Sequence, residues 1–349
     1  MAYTNIDDPS AHFQAATYTG NGSTQSITND GNSDLQPDWV WVKNRGATNG
    51  LGYQHQAYDS SRGTTKKLLP SATNAESTDA NSLTAFNSDG FSAGSNVGIN
   101  ENAVSHVAWQ WKANGGTTSS NSDGNITSTV QANTDAGFSI VTWTGNEQSA
   151  ASVGHGLGVT PEMVLFKRRN ATYYWVVYLG ALGQTGGNNM FAYLNVNNAA
   201  EQGAGITFTS SLLNPGSGAT TNSGDMIAYC FNSVQGYSKF GKYVGNGNAN
   251  GPFVYTGFKP AFIMVKKSSS TGAWIINDSK RIGHNPNNYD LYANTPDDEE
   301  DNDRFDLLSN GFKPRITSSP SNSSGATYIF MAFASSPFTT STGIPTTAR

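Results

Sequence analysis

Cysteine is nearly missing: Cys230 stands alone in 349 residues. That excludes an internal disulfide framework and any zinc site that needs two thiolates. Charge is scarce as well. Charged residues make up 13%, about half the share usual in soluble domains. The net charge is −5, so the electrostatic footprint of a nucleic-acid binder is absent. No run approaches the roughly 18 apolar residues that argue for a membrane-spanning helix. The opening residues, Met1-Ala2-Tyr3-Thr4-Asn5-Ile6-Asp7-Asp8-Pro9, lack a basic segment followed by an apolar one, so no signal peptide is expected. The glycines follow no three-residue period, which excludes collagen.

What is present is turn chemistry and aromatic bulk. The chain has 38 glycines, 37 asparagines, 17 phenylalanines, 15 tyrosines and 7 tryptophans. Glycine reaches positive φ without steric cost and asparagine tolerates it. The aromatics are the main stock for a core. The length alone predicts two or three domains.

One pattern occurs three times. It opens as Thr17-Tyr18-Thr19-Gly20-Asn21-Gly22, Thr142-Trp143-Thr144-Gly145-Asn146 and Lys242-Tyr243-Val244-Gly245-Asn246-Gly247. A proline then leads an apolar strand that ends in lysine six residues later: Pro37 to Lys43, Pro161 to Lys167 and Pro260 to Lys266. Trp175 and Trp274 each lie eight residues beyond that lysine. Ser88-Asp89-Gly90-Phe91 matches Ser309-Asn310-Gly311-Phe312. Each copy closes on an aromatic strand containing Trp109 and Trp111, Tyr229 and Phe231, or Met331 and Phe333. Period-two alternation places Trp39, Trp41 and Lys43 on one face and Val40 and Val42 on the other. Short strands with frequent turn signals predict an all-β protein, sandwich or barrel. No amphipathic helix is expected, beyond a single turn within residues 198–203.

The expected organisation is an arm at residues 1–11, repeats at 12–116, 137–238 and 239–337, and a tail at 338–349. Residues 117–136, rich in Gly, Ser, Thr and Asn, read as a linker. A repeat of about 100 residues can hold its own core, so the repeats are expected to be separate antiparallel β-sandwiches, each with an aromatic core.

Catalytic motifs are weak. Gly90-Phe91-Ser92-Ala93-Gly94 matches the nucleophile-elbow pattern, but loop rather than helix is expected after it. Gly236-Tyr237-Ser238-Lys239-Phe240-Gly241-Lys242 begins like a P-loop, yet Tyr243 replaces the magnesium-binding hydroxyl. The histidines, His12, His55, His106, His155 and His284, show no metal spacing. The acidic run Asp297-Asp298-Glu299-Glu300-Asp301 lacks the spacing and central glycine of an EF-hand loop. No catalytic residue, metal ligand or cofactor is expected.

The recurring feature with binding potential is basic: Lys43 and Arg45, Lys167, Arg168 and Arg169, Lys266 and Lys267. These residues end the same strand in each copy. They suit contact with anionic glycans or a partner's carboxylates; equally, charges at strand ends discourage edge pairing. Tyr173 and Tyr174 are a candidate stacking platform for sugar.

The opening repeat, the proline-to-lysine strand, Ser88-Asp89-Gly90-Phe91, Val153-Gly154-His155-Gly156-Leu157-Gly158-Val159, Gly236-Tyr237-Ser238-Lys239-Phe240-Gly241 and the terminal segment from Gly343-Ile344-Pro345 together resemble a family of uncharacterised tailed-phage proteins related to concanavalin A-like lectin domains. The resemblance covers nearly the whole chain. It implies a jelly-roll β-sandwich per repeat and a place in the virion. A tail fibre or adhesin displaying lectin-like modules for host attachment is the leading expectation. A capsid decoration protein is the alternative, with a glycan depolymerase behind both. The implied partners are other virion proteins, a host-surface glycan, and further copies of the chain in a trimer. The end segments, polar and with little core of their own, are expected to fray unless a partner chain covers them. Lack of a signal peptide and of disulfides fits assembly in a bacterial cytoplasm.

Overall fold

The computed structural model describes residues 3–346 except 49, 51, 186–187, 204, 282–284 and 318. His284, Met1, Ala2 and residues 347–349 of the tail therefore lie outside the described residues. The chain is nearly all β, in antiparallel sheets. Its α-helical turns among the described residues are Val97–Asn100 and Ser319–Asn322. Within residues 198–203, Glu201–Gly203 is a strand, not a helical turn. The turn Val97–Asn100 does follow the elbow-like motif, but Ser92 lies in strand Phe91–Ala93 with its hydroxyl bonded to Ser26 and Asn87.

Each sequence copy builds a sheet with the same strand order: opening, closing, proline and return strand. The opening strands are Phe13–Thr19, Phe138–Asn146 and Ser238–Val244. The closing strands are Ser105–Trp111, Ser223–Phe231 and Thr327–Pro337. The proline strands are Trp39–Asn44, Met163–Arg168 and Phe258–Lys267, and the return strands Gln56–Asp59, Val176–Leu179 and Trp274–Asp278. Registers agree in all three: Trp41 pairs with Trp109, Leu165 with Tyr229, and Met264 with Met331. Across the outer face of each sheet lies a group of short strands, such as Gln25–Ile27, Phe91–Ala93 and Leu83–Phe86 in copy one.

Both faces of these sheets are buried. Val40 and Val42 face an outer layer with Ile27, Leu83 and Phe91, and the other two copies have matching outer clusters. The inner faces meet one another. A single cluster joins Trp39, Trp41, Trp109 and Trp111 to Met163, Tyr229 and Phe231, and to Phe262, Met331 and Phe333. Ring contacts cross all three boundaries: Trp39 to Tyr229 at 4.4 Å, Phe231 to Phe333 at 6.0 Å, and Trp111 to Phe333 at 5.6 Å. Each copy does keep an aromatic cluster of its own between its layers, with Tyr58 and Phe91, Trp143 and Phe166, or Phe305 and Phe312. The expectation of separate bodies is corrected at the inner faces, which form one core in common, and copy one supplies four of its largest rings.

The segment 117–136 is not a free linker. Ser128–Asn133 pairs antiparallel with the opening strand of copy two, and Ser119–Asn121 pairs with it in turn. Val130 is buried beside Val141 in that copy's outer cluster. The described parts of the termini also pack on their own chain. Ile6 enters the common core, the Tyr3 hydroxyl donates to Gly257 O at 2.7 Å, and Ser341 N donates to Asp7 at 2.6 Å. The N-terminal segment is thus anchored on its own chain, while the tail touches it at Ser341 and leaves Ile344 62% exposed.

The recurrent Gly-Asn is also explained. A Cβ on Gly20, Gly145 or Gly245 would lie 2.1–2.3 Å from backbone atoms of residues 101, 222 and 323. There a buried asparagine holds the turn: Asn100, Asn222 or Asn322. Its side-chain oxygen accepts from Asn21 N at 2.9 Å, Asn146 N at 3.4 Å or Asn246 N at 2.9 Å.

Candidate functional site

The basic residues that recur at the ends of the proline strands sit at the three boundaries between copies. Alternation puts Lys43, Lys167 and Lys266 on the inner face behind Trp41, Leu165 and Met264, and all three are fully buried. This corrects the reading of these lysines as exposed strand ends. Lys167 Nζ donates to Thr73 O of copy one at 2.9 Å and to Tyr173 O at 2.7 Å. Lys266 Nζ donates to Lys267 O at 2.6 Å and reaches Asn197 O of copy two at 3.4 Å. Lys43 Nζ donates to Asn44 O at 2.6 Å and feels the acidic run of copy three, Asp297 to Glu299. The hydrogen bonds run from copy two to copy one and from copy three to copy two, and charge alone links Lys43 of copy one to copy three, which closes the cycle.

The residue opposite each lysine on the return strand repeats the cycle. Trp175 Nε1 donates to Leu69 O of copy one at 2.9 Å, and Trp274 Nε1 to Tyr193 O of copy two at 2.9 Å. In copy one the place belongs to His55, whose Nε2 lies 3.0 Å from Tyr292 O of copy three. Its Nδ1 accepts from Trp41 Nε1 at 2.9 Å, so Nε2 carries the proton. His55 is the counterpart of the two tryptophans, hidden from sequence comparison by a loop four residues longer.

Two of the boundaries carry buried ion chains. Arg62 bonds Asp59 and Glu76, and Glu76 also pairs with Arg169 at 2.9 Å. Arg281 bonds Asp278 at 2.7 Å and Glu299 at 2.9 Å, and Glu299 pairs with Arg45 at 2.6 Å. A ring from the adjoining copy completes each chain: the Tyr229 hydroxyl donates to Asp59 at 2.7 Å, and Trp109 Nε1 to Asp278 at 3.0 Å. At the third boundary the corresponding positions are Leu179, Leu182, Ala200, Ser268 and Met331. The whole polar set has been exchanged for an almost apolar one. Asp59-x-x-Arg62 and Asp278-x-x-Arg281, against Leu179-x-x-Leu182, were the sequence signal for this and passed unread.

The remaining candidates divide. Arg45 and Arg169 are held by the glutamates, and Arg45 also lies 5.6 Å from the centre of the Tyr289 ring. Lys267 reaches Ser323 Oγ at 3.5 Å. Arg168 and Tyr173, half-buried, and Tyr174, exposed, lie beside the boundary of copies one and two. The Arg168 guanidinium stands 4.8 Å over the Tyr173 ring, and Tyr174, 44% exposed, leans on Tyr193 at 4.7 Å. A cation stacked on one aromatic ring, with an exposed ring at the next position of the chain, suits a planar or sugar-like ligand.

The described histidines are engaged within the fold. His106 stacks on Tyr18 at 5.1 Å and bonds Val104 O, and burial lowers its pKa to about 4. His155 bonds Thr209 O and accepts from Leu157 N. In the acidic run, Asp298 accepts from Ala47 N at 3.0 Å and Glu299 is paired as above. No group of three or more metal-ligating side chains occurs among the described residues.

Burial holds the pKa of Lys43, Lys167 and Lys266 down at about 8. In the unfolded chain these amines keep their protons to about pH 10.4. Between those values the unfolded state binds more protons, so stability rises with pH. Burial acts oppositely on the Cys230 thiol, pushed up to about 12, and on the hydroxyls of Tyr58, Tyr229 and Tyr237. Those groups weaken the fold once the unfolded chain ionises them, above about pH 9–10. The urea midpoint should therefore be higher at about pH 9.5 than at about 7.5, and a triple Lys→Met variant should lose that rise. A midpoint that falls over this interval would contradict the burial of the three amines.

Residues 8–337 match the family described as Domain of unknown function (DUF7483), and the chain belongs to that family. The match takes in all three copies. No curated protein and no solved structure matches the chain.

Proposed function

We propose that this member of the DUF7483 family is a non-catalytic structural protein of a tailed-phage particle, in which three jelly-roll, lectin-like modules form one body. The leading role is that of a tail fibre or adhesin that touches a host-surface glycan. The observation that carries it is the accessible face of Arg168, Tyr173 and Tyr174. The lysines are consumed at the boundaries, and this face keeps a half-buried cation on Tyr173 and the exposed ring of Tyr174 at the surface. The resemblance to phage proteins supports the setting in a virion. Attachment of the protein to host cells should fall in an Arg168→Ala, Tyr174→Ala variant that keeps its melting temperature. Unchanged attachment would remove the adhesin reading.

The decoration reading has its own support. Three equivalent sheets around a common core approximate a threefold body built from one chain, and such a body matches a threefold seat on a capsid without needing a trimer. Labelled antibody on intact virions separates the two: signal over the whole head rejects the tail fibre, and signal confined to the tail rejects decoration.

A further inference from the structure

The boundaries hold three equivalent grooves, each between the opening strand of one copy and the turn after a return strand of its neighbour. At the boundary of copies one and two the groove is filled by Ser128–Asn133. The register sets Thr129 opposite Thr142 and Gln131 opposite Ile140, and Gln131 Nε2 donates to Ser60 and Ser61 Oγ of copy one at 2.9 and 2.8 Å. The segment then crosses to the outer sheet, where Ser128 Oγ donates to Gly154 O at 2.8 Å. At the boundary of copies three and one the groove is about 180 Å³ and lined by Phe13, Ala15, Ser279 and Lys280; the 2.5 Å Lys280–Asp30 ion pair forms between its walls.

The third groove is larger, about 420 Å³, and lies along the opening strand of copy three between Lys239 and Tyr243, with Ala181 of copy two at its side. Ala181 stands where Ser61 stands in copy one. Among the described residues the strand pairs with the closing strand, and on its other edge only Ser238 is bridged, to Val234. Ala334 N donates to Tyr237 O and Gly245 N to Ala326 O, so odd-numbered residues bond inward and even-numbered ones point outward. Ser238 and the Phe240 N–H are taken by Val234 and Ser233. The outward groups of Lys242 and Val244 face the groove's side. On the outer sheet, Phe253 is 48% and Tyr255 56% exposed, and Val244 is 57% exposed; these are three of the seven large hydrophobics exposed among the described residues. Lys239 and Lys242 are exposed and enter no ion pair among the described residues.

We propose that this groove binds an extended segment of a partner polypeptide, which adds as an antiparallel strand to residues 240–244, beyond the Ser233–Val234 bridge, and carries one acidic residue opposite Lys242 and another within reach of the Lys239 side chain. Residues 117–136 occupy the equivalent place at copy two and show the mode, strand addition across the open side of the two layers. A second copy pairing edge to edge is disfavoured, because lysines would face lysines. The inference does not depend on the virion reading.

The test uses the full chain and a fluorescein-labelled peptide with the sequence of residues 125–134 carrying Thr129→Asp and Ala132→Asp. Anisotropy should show saturable binding, and exchange of the Lys242 and Val244 amides should slow when the peptide is bound. Lys242→Pro removes an N–H that the fold does not use, as edge strands allow. It should weaken binding about tenfold, the scale of one or two lost main-chain hydrogen bonds. Should that variant misfold, Phe253→Ser with Tyr255→Ser serves in its place. A double Lys239→Glu, Lys242→Glu variant should lose the acidic peptide more than the unsubstituted one. No binding, or binding indifferent to all these changes, overturns the proposal. So does a dimer in sedimentation that Lys242→Pro dissolves, which would assign the groove to a second copy.

Discussion

Trp39→Ala should destabilise the entire chain by about 3–5 kcal/mol, with fluorescence and circular dichroism reporting one shared transition at a lower urea midpoint. Trp39 is fully buried, stacks on Trp111 at 4.4 Å within its own copy, and stacks on Tyr229 of copy two at 4.4 Å. It also lies 6.2 Å from Phe138 and 5.9 Å from Phe231. Removing the indole opens a cavity where two copies meet, and the rigid sheets around it can close only part of the space. In beads with independent cores the same change would unfold copy one and leave the others at wild-type stability. A biphasic curve with an unchanged second phase would therefore argue for beads.

Arg281→Leu should cost a similar amount, about 3–5 kcal/mol, because it strands buried carboxylates rather than merely losing a contact. Asp278 and Arg281 both have fully buried side chains, and Glu299 is nearly so. Burial opposes the Arg281 charge, and Asp278 and Glu299 outweigh that opposition and raise its pKa. The chain also contains its own control. Where copies two and three meet, Leu179 and Leu182 replace the Asp-x-x-Arg pair, and Met331 replaces the ring that bonds the aspartate. Asp278→Leu together with Arg281→Leu should therefore be markedly more stable than Arg281→Leu alone, even though Trp109 Nε1 loses its acceptor. Equal stability of the single and double variants in urea titrations would show that the aspartate's buried charge is not the source of the cost.

Much of the architecture was legible in the residues. Alternation along Trp39-Val40-Trp41-Val42-Lys43 assigned the two faces correctly, and the six-residue spacing from proline to lysine marked equivalent strands. What escaped was the destination of the inner faces. A strand pattern states which side chains share a face, not what lies opposite, and here the opposite surface belongs to another copy more than 100 residues away. Lysine reads as a surface residue because it is almost never fully buried without partners. Thr73 O and Asn197 O, which receive two of these amines, lie in loops with no motif. Residues 117–136 misled for a related reason: composition marked a linker, while Val130 and Ala132, two apart, held the alternation of a strand. His55 was read as a lone histidine because its loop length hid its equivalence to Trp175 and Trp274. Of the candidate site, the recurrence of the three lysines was real, and they are buried at the boundaries between copies.

Scanning calorimetry of the intact chain tests the common core most directly. If the three copies share one core, the protein melts in a single transition whose calorimetric and van't Hoff enthalpies agree. Resolved transitions, or a van't Hoff enthalpy near a third of the calorimetric value, would mean that the copies melt as independent units and would contradict the shared core.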